Sequence, residues 1–215
     1  RARRCGGVLR GIGGVRARRA VGRDRHVWDA KEGHPAFLLV ERIRELVHQG
    51  KSLAEAADQV RLNTVFTTHT PVPAGHDVFS GDLIREHCQW WWEDLGLTQE
   101  DFMSLGRHPE LPPDQFHMTT LPIRLASFIN GVSREHEQVS RKMFNVLWPE
   151  RPLQEVPIHS VTNGVHVPTW IAQEMDVLYQ KYLGPDWRER CDDPALWQGM
   201  ETVPDEELWE VRQFL

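Results

Sequence analysis

Apolar residues over 35–49 (PAFLLVERIRELVHQ) recur at helical spacing. Phe37, Leu38, Val40, Ile43, Leu46 and Val47 form one stripe, Pro35 suits the first turn and Gly50 ends the run. Ser52 opens a second helix, because Glu55 stands where a capping box needs it and Leu53, Ala56, Ala57 and Val60 share a face. The pattern then changes to β-branched residues over 63–70, which predicts a short buried strand. Pro71, Pro73 and Gly75 force a loop after it.

Helical spacing returns over 82–95 and includes Trp90, Trp91 and Trp92. Three consecutive rings on a helix point three ways, so one or two belong to the core and one to solvent. Thr98 to Asp101 reads as the cap of another short helix, and 107–115, with three prolines, as the most flexible stretch of the body. Residues 118–128 are predicted helical and 129–132 a strand or turn. Ser133 is the predicted cap of a helix over 134–147, and a strand follows over 156–161. Beyond Pro168 the pattern gives short helices broken by Gly184-Pro185 and Pro194. Helices alternating with short buried strands define an α/β chain.

Composition adds an asymmetry. Within 215 residues of net charge -6, positions 1–25 hold nine Arg and one Asp, which leaves the rest acidic. The acidic body excludes nucleic acid as a partner, since phosphates need a basic face. The arm at 1–25 is acid-poor like an organelle transit peptide, and reads as a disordered tail or as sequence foreign to the fold. Cys5, Cys88 and Cys191 are few, odd in number and widely spaced, which argues for a reducing, cytoplasmic setting. No apolar run approaches the ~18 residues of a membrane span.

The candidate chemistry sits at two predicted strand ends. Thr67-Thr68-His69-Thr70-Pro71 follows Val65-Phe66, and Thr162-Asn163-Gly164-Val165-His166 follows the apolar run ending at Val161. Ligands of open α/β sheets collect outside the carboxyl ends of strands, and polar residues there suit a polyhydroxylated substrate. Each residue also has a plain structural reading. His69 reads equally as a half-buried imidazole satisfied by backbone, Asn163-Gly164 as a turn dipeptide, and Trp170 as core packing at a helix start. His34, His69, His76, Asp77 and His87 are metal-ligand types, but their spacing matches no metal motif, so no metal is expected.

Three ordered blocks, VFTTHTPVPAGHDVF (65–79), NGVSREHEQVSRKM (130–143) and SVTNGVHVPTW (160–170), resemble the α-glucan (glycogen or maltodextrin) phosphorylases, especially their short bacterial and archaeal branch. The resemblance runs from Glu32 to near Trp170. It implies a GT-B fold of two Rossmann-like domains, with residues 26–162 at the end of the first and 163–215 at the start of the second. It places His69 at the glucosyl subsite, its imidazole near the sugar 6-hydroxyl, with Asn163 meeting that hydroxyl from the other side. Thr70, Asp77 and His34 would line the same pocket, and Trp170 would flank the cofactor. Asp29-Ala30-Lys31 departs from the His-Leu-Asn expected before Glu32-Gly33-His34, which weakens the assignment of His34.

The implied reaction is phosphorolysis of an α-1,4-glucan by inorganic phosphate, giving glucose 1-phosphate with retention and using pyridoxal 5'-phosphate. A homo-oligomer is compatible with the full-length parent. The resemblance puts the cofactor lysine and the phosphate-binding residues after Leu215, so the chain reads as an internal fragment without a complete catalytic centre. Two rivals stand beside this reading: a nucleotide-sugar transferase of the same architecture, and a non-catalytic carbohydrate-binding remnant.

Overall fold

A computed structural model describes residues 27–33 and 35–214. Strand β1 (Trp28–Lys31) leads through helices α1 (Phe37–His48) and α2 (Leu53–Leu62) to β2 (Thr64–Thr67). A long excursion follows through β3 (Val78–Ser80), α3 (Gly81–Asp94), α4 (Gln99–Leu105), β4 (Gln115–His117) and α5 (Thr120–Leu125) before β5 (Phe128–Gly131). Helix α6 (Arg134–Phe144) and two 3₁₀ turns then reach β6 (His159–Ser160). Strands β1, β2, β5 and β6 lie side by side in that order, all parallel, while β3 and β4 form a separate antiparallel pair.

The helices start where their side chains supply the missing acceptors. Ser52 Oγ accepts from the Glu55 N–H at 3.3 Å, and Glu55 Oε2 accepts from the Ser52 N–H at 2.9 Å. Thr98 and Asp101 repeat the arrangement at α4, and Ser133 Oγ accepts from the His136 N–H at 3.0 Å to start α6.

One core joins α1–α4 to Phe116, Met118, Leu121 and Leu125. At its centre Trp91 is fully buried and Trp92 nearly so, while Trp90 is exposed, as the helical spacing requires. The same interior holds the Glu41 carboxylate, which accepts from Trp91 Nε1 at 3.0 Å and from the Arg44 guanidinium at 2.9 Å. A second core lies along the sheet, where Ala30, Phe66 and Ile129 meet Ile123, Phe144, Val156 and Ile158.

The structure redraws several predicted elements. The helix expected over 118–128 is confined to Thr120–Leu125, because Phe128 enters the sheet opposite Val65. The strand expected over 156–161 shrinks to His159–Ser160. Val156 and Ile158 are buried, but they reach the core from a 3₁₀ turn and an extended link rather than from the ladder. Gln115 lies at the end of the proline-rich segment but pairs with Ser80 in the β3–β4 ladder. The arm at 1–25 lies outside the described residues.

Contacts divide the chain into two compact units, the first ending at Asn163 and the second starting at Gly164. The second contains α7 (Val167–Trp170), α8 (Gln173–Leu183), a 3₁₀ segment (Leu196–Thr202) and α9 (Asp205–Gln213). Its core is the fully buried Trp187, met edge-on by Tyr179 at 5.1 Å. Asp176 accepts from Trp187 Nε1 at 3.1 Å, from Arg188 Nη2 at 2.7 Å and from Gln180 Nε2 at 2.7 Å.

Candidate functional site

Because four strands run parallel, their carboxyl ends share one edge of the sheet. The ladder continues one residue beyond three of them. Glu32 N–H donates to Thr67 O, Thr68 N–H to Asn130 O and Val161 N–H to Gly131 O, each at 3.0 Å. At this edge the Thr67 hydroxyl lies 3.0 Å from Asp29 Oδ1 and 3.1 Å from Asn130 Oδ1, so its one proton serves one acceptor at a time. These bonds make the ends of β1, β2 and β5 a rigid platform for the loops that leave them.

His69 stands exposed on the loop after β2, with Thr68 buried and Thr70 half-buried on either side. The Glu32 carboxylate braces this loop. Its Oε1 accepts from the His69 main-chain N–H and, at 3.1 Å, from the Thr70 hydroxyl. Glu32 has φ 62°, the one non-glycine residue with positive φ among the described residues. Gly75 approaches so closely that a Cβ there would meet Thr70 Cγ2 at 2.3 Å.

Beneath the loop lies a group of buried imidazoles. His76 Nδ1 is 2.7 Å from Thr119 Oγ1, and its Nε2 is buried without a hydrogen-bond partner among the described residues. The His76 and His117 rings are centred 5.7 Å apart, those of His108 and His117 5.0 Å. Burial lowers the affinity of all three for protons, and His117, further repelled by His108 and His76, is pushed down to about 4. The interior below the loop is therefore neutral at pH 7.

The sequence-selected residues fall into distinct settings. His69 and Thr70 share one braced loop, and Asp77 is half-buried at the start of β3, its carbonyl accepting from Met118 N–H at 3.0 Å. Asn163 is exposed three residues beyond β6. With β5 between β2 and β6, the two strand ends are roughly 10 Å apart at the usual strand spacing, and no direct bond joins His69 to Asn163. His34 lies outside the described residues. Trp170 belongs to the second unit, where it ends α7 and is 80 % exposed. Sequence reasoning passed over Glu32, whose role depends on a pairing of strands 36 residues apart in register, and it did not group His76, His108 and His117.

Among the described residues no group of three or more His, Cys, Asp or Glu is arranged to hold a metal. No described helix is long and apolar enough to cross a membrane. For pyridoxal phosphate the donor set is incomplete. Lys31, Lys51, Lys142 and Lys181 are the only lysines in the sequence, and all four are exposed. A Schiff-base lysine needs a lowered proton affinity from burial or a like charge; Lys181 instead pairs with Glu207 at 2.7 Å, which raises it.

By sequence the chain belongs to the glycogen/maltodextrin phosphorylase family. It is 44% identical over 204 residues to a maltodextrin phosphorylase of Thermococcus litoralis, covering 95% of this chain and 24% of that protein. It is 41% identical over 220 residues to a glycogen phosphorylase of Mycobacterium tuberculosis, covering 97% of this chain and 25% of that one. A glycogen phosphorylase of Aquifex aeolicus is 36% identical over 203 residues, covering 94% and 29%. The chain thus spans about a quarter of the length of these relatives, and the similarity reaches well past the Glu32–Trp170 stretch. No family model matches the chain.

Proposed function

We propose that this chain is the part of an α-1,4-glucan phosphorylase that grips the terminal glucosyl unit. On this reading residues 26–162 complete the first domain of a GT-B fold and 163–215 begin the second. The observation that carries it is the sheet's carboxyl edge: a His69-Thr70 loop braced by Glu32, with Asn163 exposed two strands away. His69 and Asn163 would bind the glucosyl 6-hydroxyl, an amide being able both to donate and to accept. Thr70, Asp77 and His34 would line the pocket, and Trp170 would flank the cofactor.

In the reaction the glycosidic C–O bond breaks and a C–O bond to inorganic phosphate forms at the same face. The departing 4-oxygen takes up the proton that the attacking phosphate gives up. The part assigned to this chain is orientation. Bonds to the 6-hydroxyl that shorten as the ring distorts favour the transition state over bound substrate.

The test is Asn163→Ala in the protein encoded by the complete reading frame, with maltodextrin and phosphate as substrates. Loss of a buried hydrogen bond worth ~1.4–3 kcal/mol should lower kcat/KM roughly 10- to 200-fold. A glucan ending in a 6-deoxyglucosyl unit should erase most of that difference. Unchanged activity, or an equal loss on the 6-deoxy substrate, would make Asn163 a structural turn. The 215-residue chain alone should release no glucose 1-phosphate, since none of its lysines suits the Schiff base; measurable release by purified chain contradicts this.

A further inference from the structure

We propose that Glu32 is a positioning residue, fixing the His69 main chain and the Thr70 hydroxyl at the sugar-facing edge; the functional half of this rests on the glucosyl-site reading. Glu32 is the first residue after β1, and its N–H still donates to Thr67 O at 3.0 Å, so its backbone is locked to the strand that leads into the loop. Its φ of 62° is a left-handed conformation in which an L side chain crowds its own backbone. Asn and Asp often tolerate that region through short local hydrogen bonds, a route that the longer Glu side chain does not follow here. The Glu32 carboxylate instead reaches across to residues 69 and 70, with Oε1 accepting from both.

That geometry has a directional consequence. The His69 N–H belongs to the Thr68–His69 peptide, so one carboxylate oxygen sets the plane from which the imidazole departs. The same oxygen holds the Thr70 rotamer, whose methyl group faces Gly75. Without the carboxylate the His69 N–H turns to water and the loop loses its tie to the end of β1. A backbone outlier supported by such specific contacts, beside polar residues that are exposed, fits storage of strain at a working site.

Three variants separate positioning from structural support. Glu32→Gly removes the carboxylate and relieves the positive φ. Glu32→Gln keeps an acceptor at Oε1. Glu32→Asp keeps the charge but is one methylene too short. In the 215-residue chain, amide exchange followed by NMR should show the His69 N–H exchanging ~10-fold faster or more in Glu32→Gly and Glu32→Asp, and within ~3-fold of wild type in Glu32→Gln. The melting temperature of Glu32→Gly should stay equal or rise. Unchanged His69 exchange in Glu32→Gly overturns the contact. So does a Glu32→Gln variant as fast as Glu32→Gly.

The functional arm uses maltodextrin phosphorolysis by the protein of the complete reading frame. Glu32→Gly should lower kcat/KM ~10- to 100-fold, mostly in kcat, with Glu32→Gln restoring most of it. On a His69→Ala background the same change should cost no more than ~3-fold, because both act through one group. Fully multiplicative losses would show that Glu32 acts elsewhere. If His69→Ala itself is silent, the sugar-site reading falls and takes the functional half of the proposal with it, while the exchange result still decides the contact.

Discussion

Acid should weaken the first unit through His117, by an amount set by the burial of its ring. An unfolded histidine binds its proton near 6.5; in the fold His117 is pushed down to about 4 by burial and by His108 and His76. Above pH 6.5 the ring is neutral in both states and contributes nothing to the pH dependence. Between the two values the unfolded chain takes up a proton that the native state refuses, so stability falls as pH falls and levels off below about 4. Going from pH 7.5 to 4.5, this one group should remove about 2–3 kcal/mol. The control is His117→Asn. His117 Nδ1 accepts from the Thr120 N–H at 3.2 Å, and an Asn oxygen can take that place without titrating. Urea unfolding at a series of pH values, read by hydrogen exchange on peptides spanning 78–144, isolates this unit. His117→Asn should flatten the acid limb by about 2–3 kcal/mol relative to wild type. If the two proteins lose stability in parallel, the buried imidazole is not the acid-sensitive group and the assignment is wrong.

Close contacts set the other expected outcomes. Gly75→Ala places a methyl group 2.3 Å from Thr70 Cγ2. It should cost about 1–3 kcal/mol in melts, and Thr70→Ser, which drops that methyl but keeps the hydroxyl, should recover most of the loss. Failure of that rescue would mean that the strain lies elsewhere. Asp176→Ala leaves the buried Trp187 Nε1 without its acceptor and should destabilise the second unit by about 2 kcal/mol, seen as faster exchange over 173–198. Unaltered protection there would deny Asp176 its role.

Elements whose signal is local were legible in the sequence. The capping boxes at Ser52 and Thr98 lie within four residues, so propensity and chemistry agree before any tertiary contact forms. The stripe on α1 was readable for the same reason: Phe37, Val40 and Ile43 are buried, and Leu38, Leu46 and Val47 pack half-buried beside them. Strands were harder. β1 offers Trp-Asp-Ala-Lys, of which only Ala30 is buried, and β3 and β4 are three residues each, too short to show alternation. The run at 156–161 misled in the opposite sense, because Val156 and Ile158 are buried outside the ladder. Of the candidate site, the polar ends at His69 and Asn163 were visible as motifs. Glu32 was not, because a carboxylate reaching from one strand end to the next has no sequence period.

The acid-sensitive group and the candidate sugar loop are linked through His76. Its ring is packed against His117; burial lowers its affinity for protons, and the charge of Glu32, which braces His69, partly offsets that. Gly75, adjacent in the chain, seats Thr70. Protons taken up by this interior therefore charge the support of the loop itself, and not a remote part of the core. Glu32 and Asp77 both favour that charge, Glu32 the more strongly, so removing Glu32 should make His76 still harder to protonate. A Glu32→Gln chain should then show a lower His76 titration midpoint than wild type by NMR, even though its His69 amide stays protected. A midpoint that does not move, with His69 still protected, would mean that Glu32 holds the loop by hydrogen bonding alone, its charge having no hold on the histidines below.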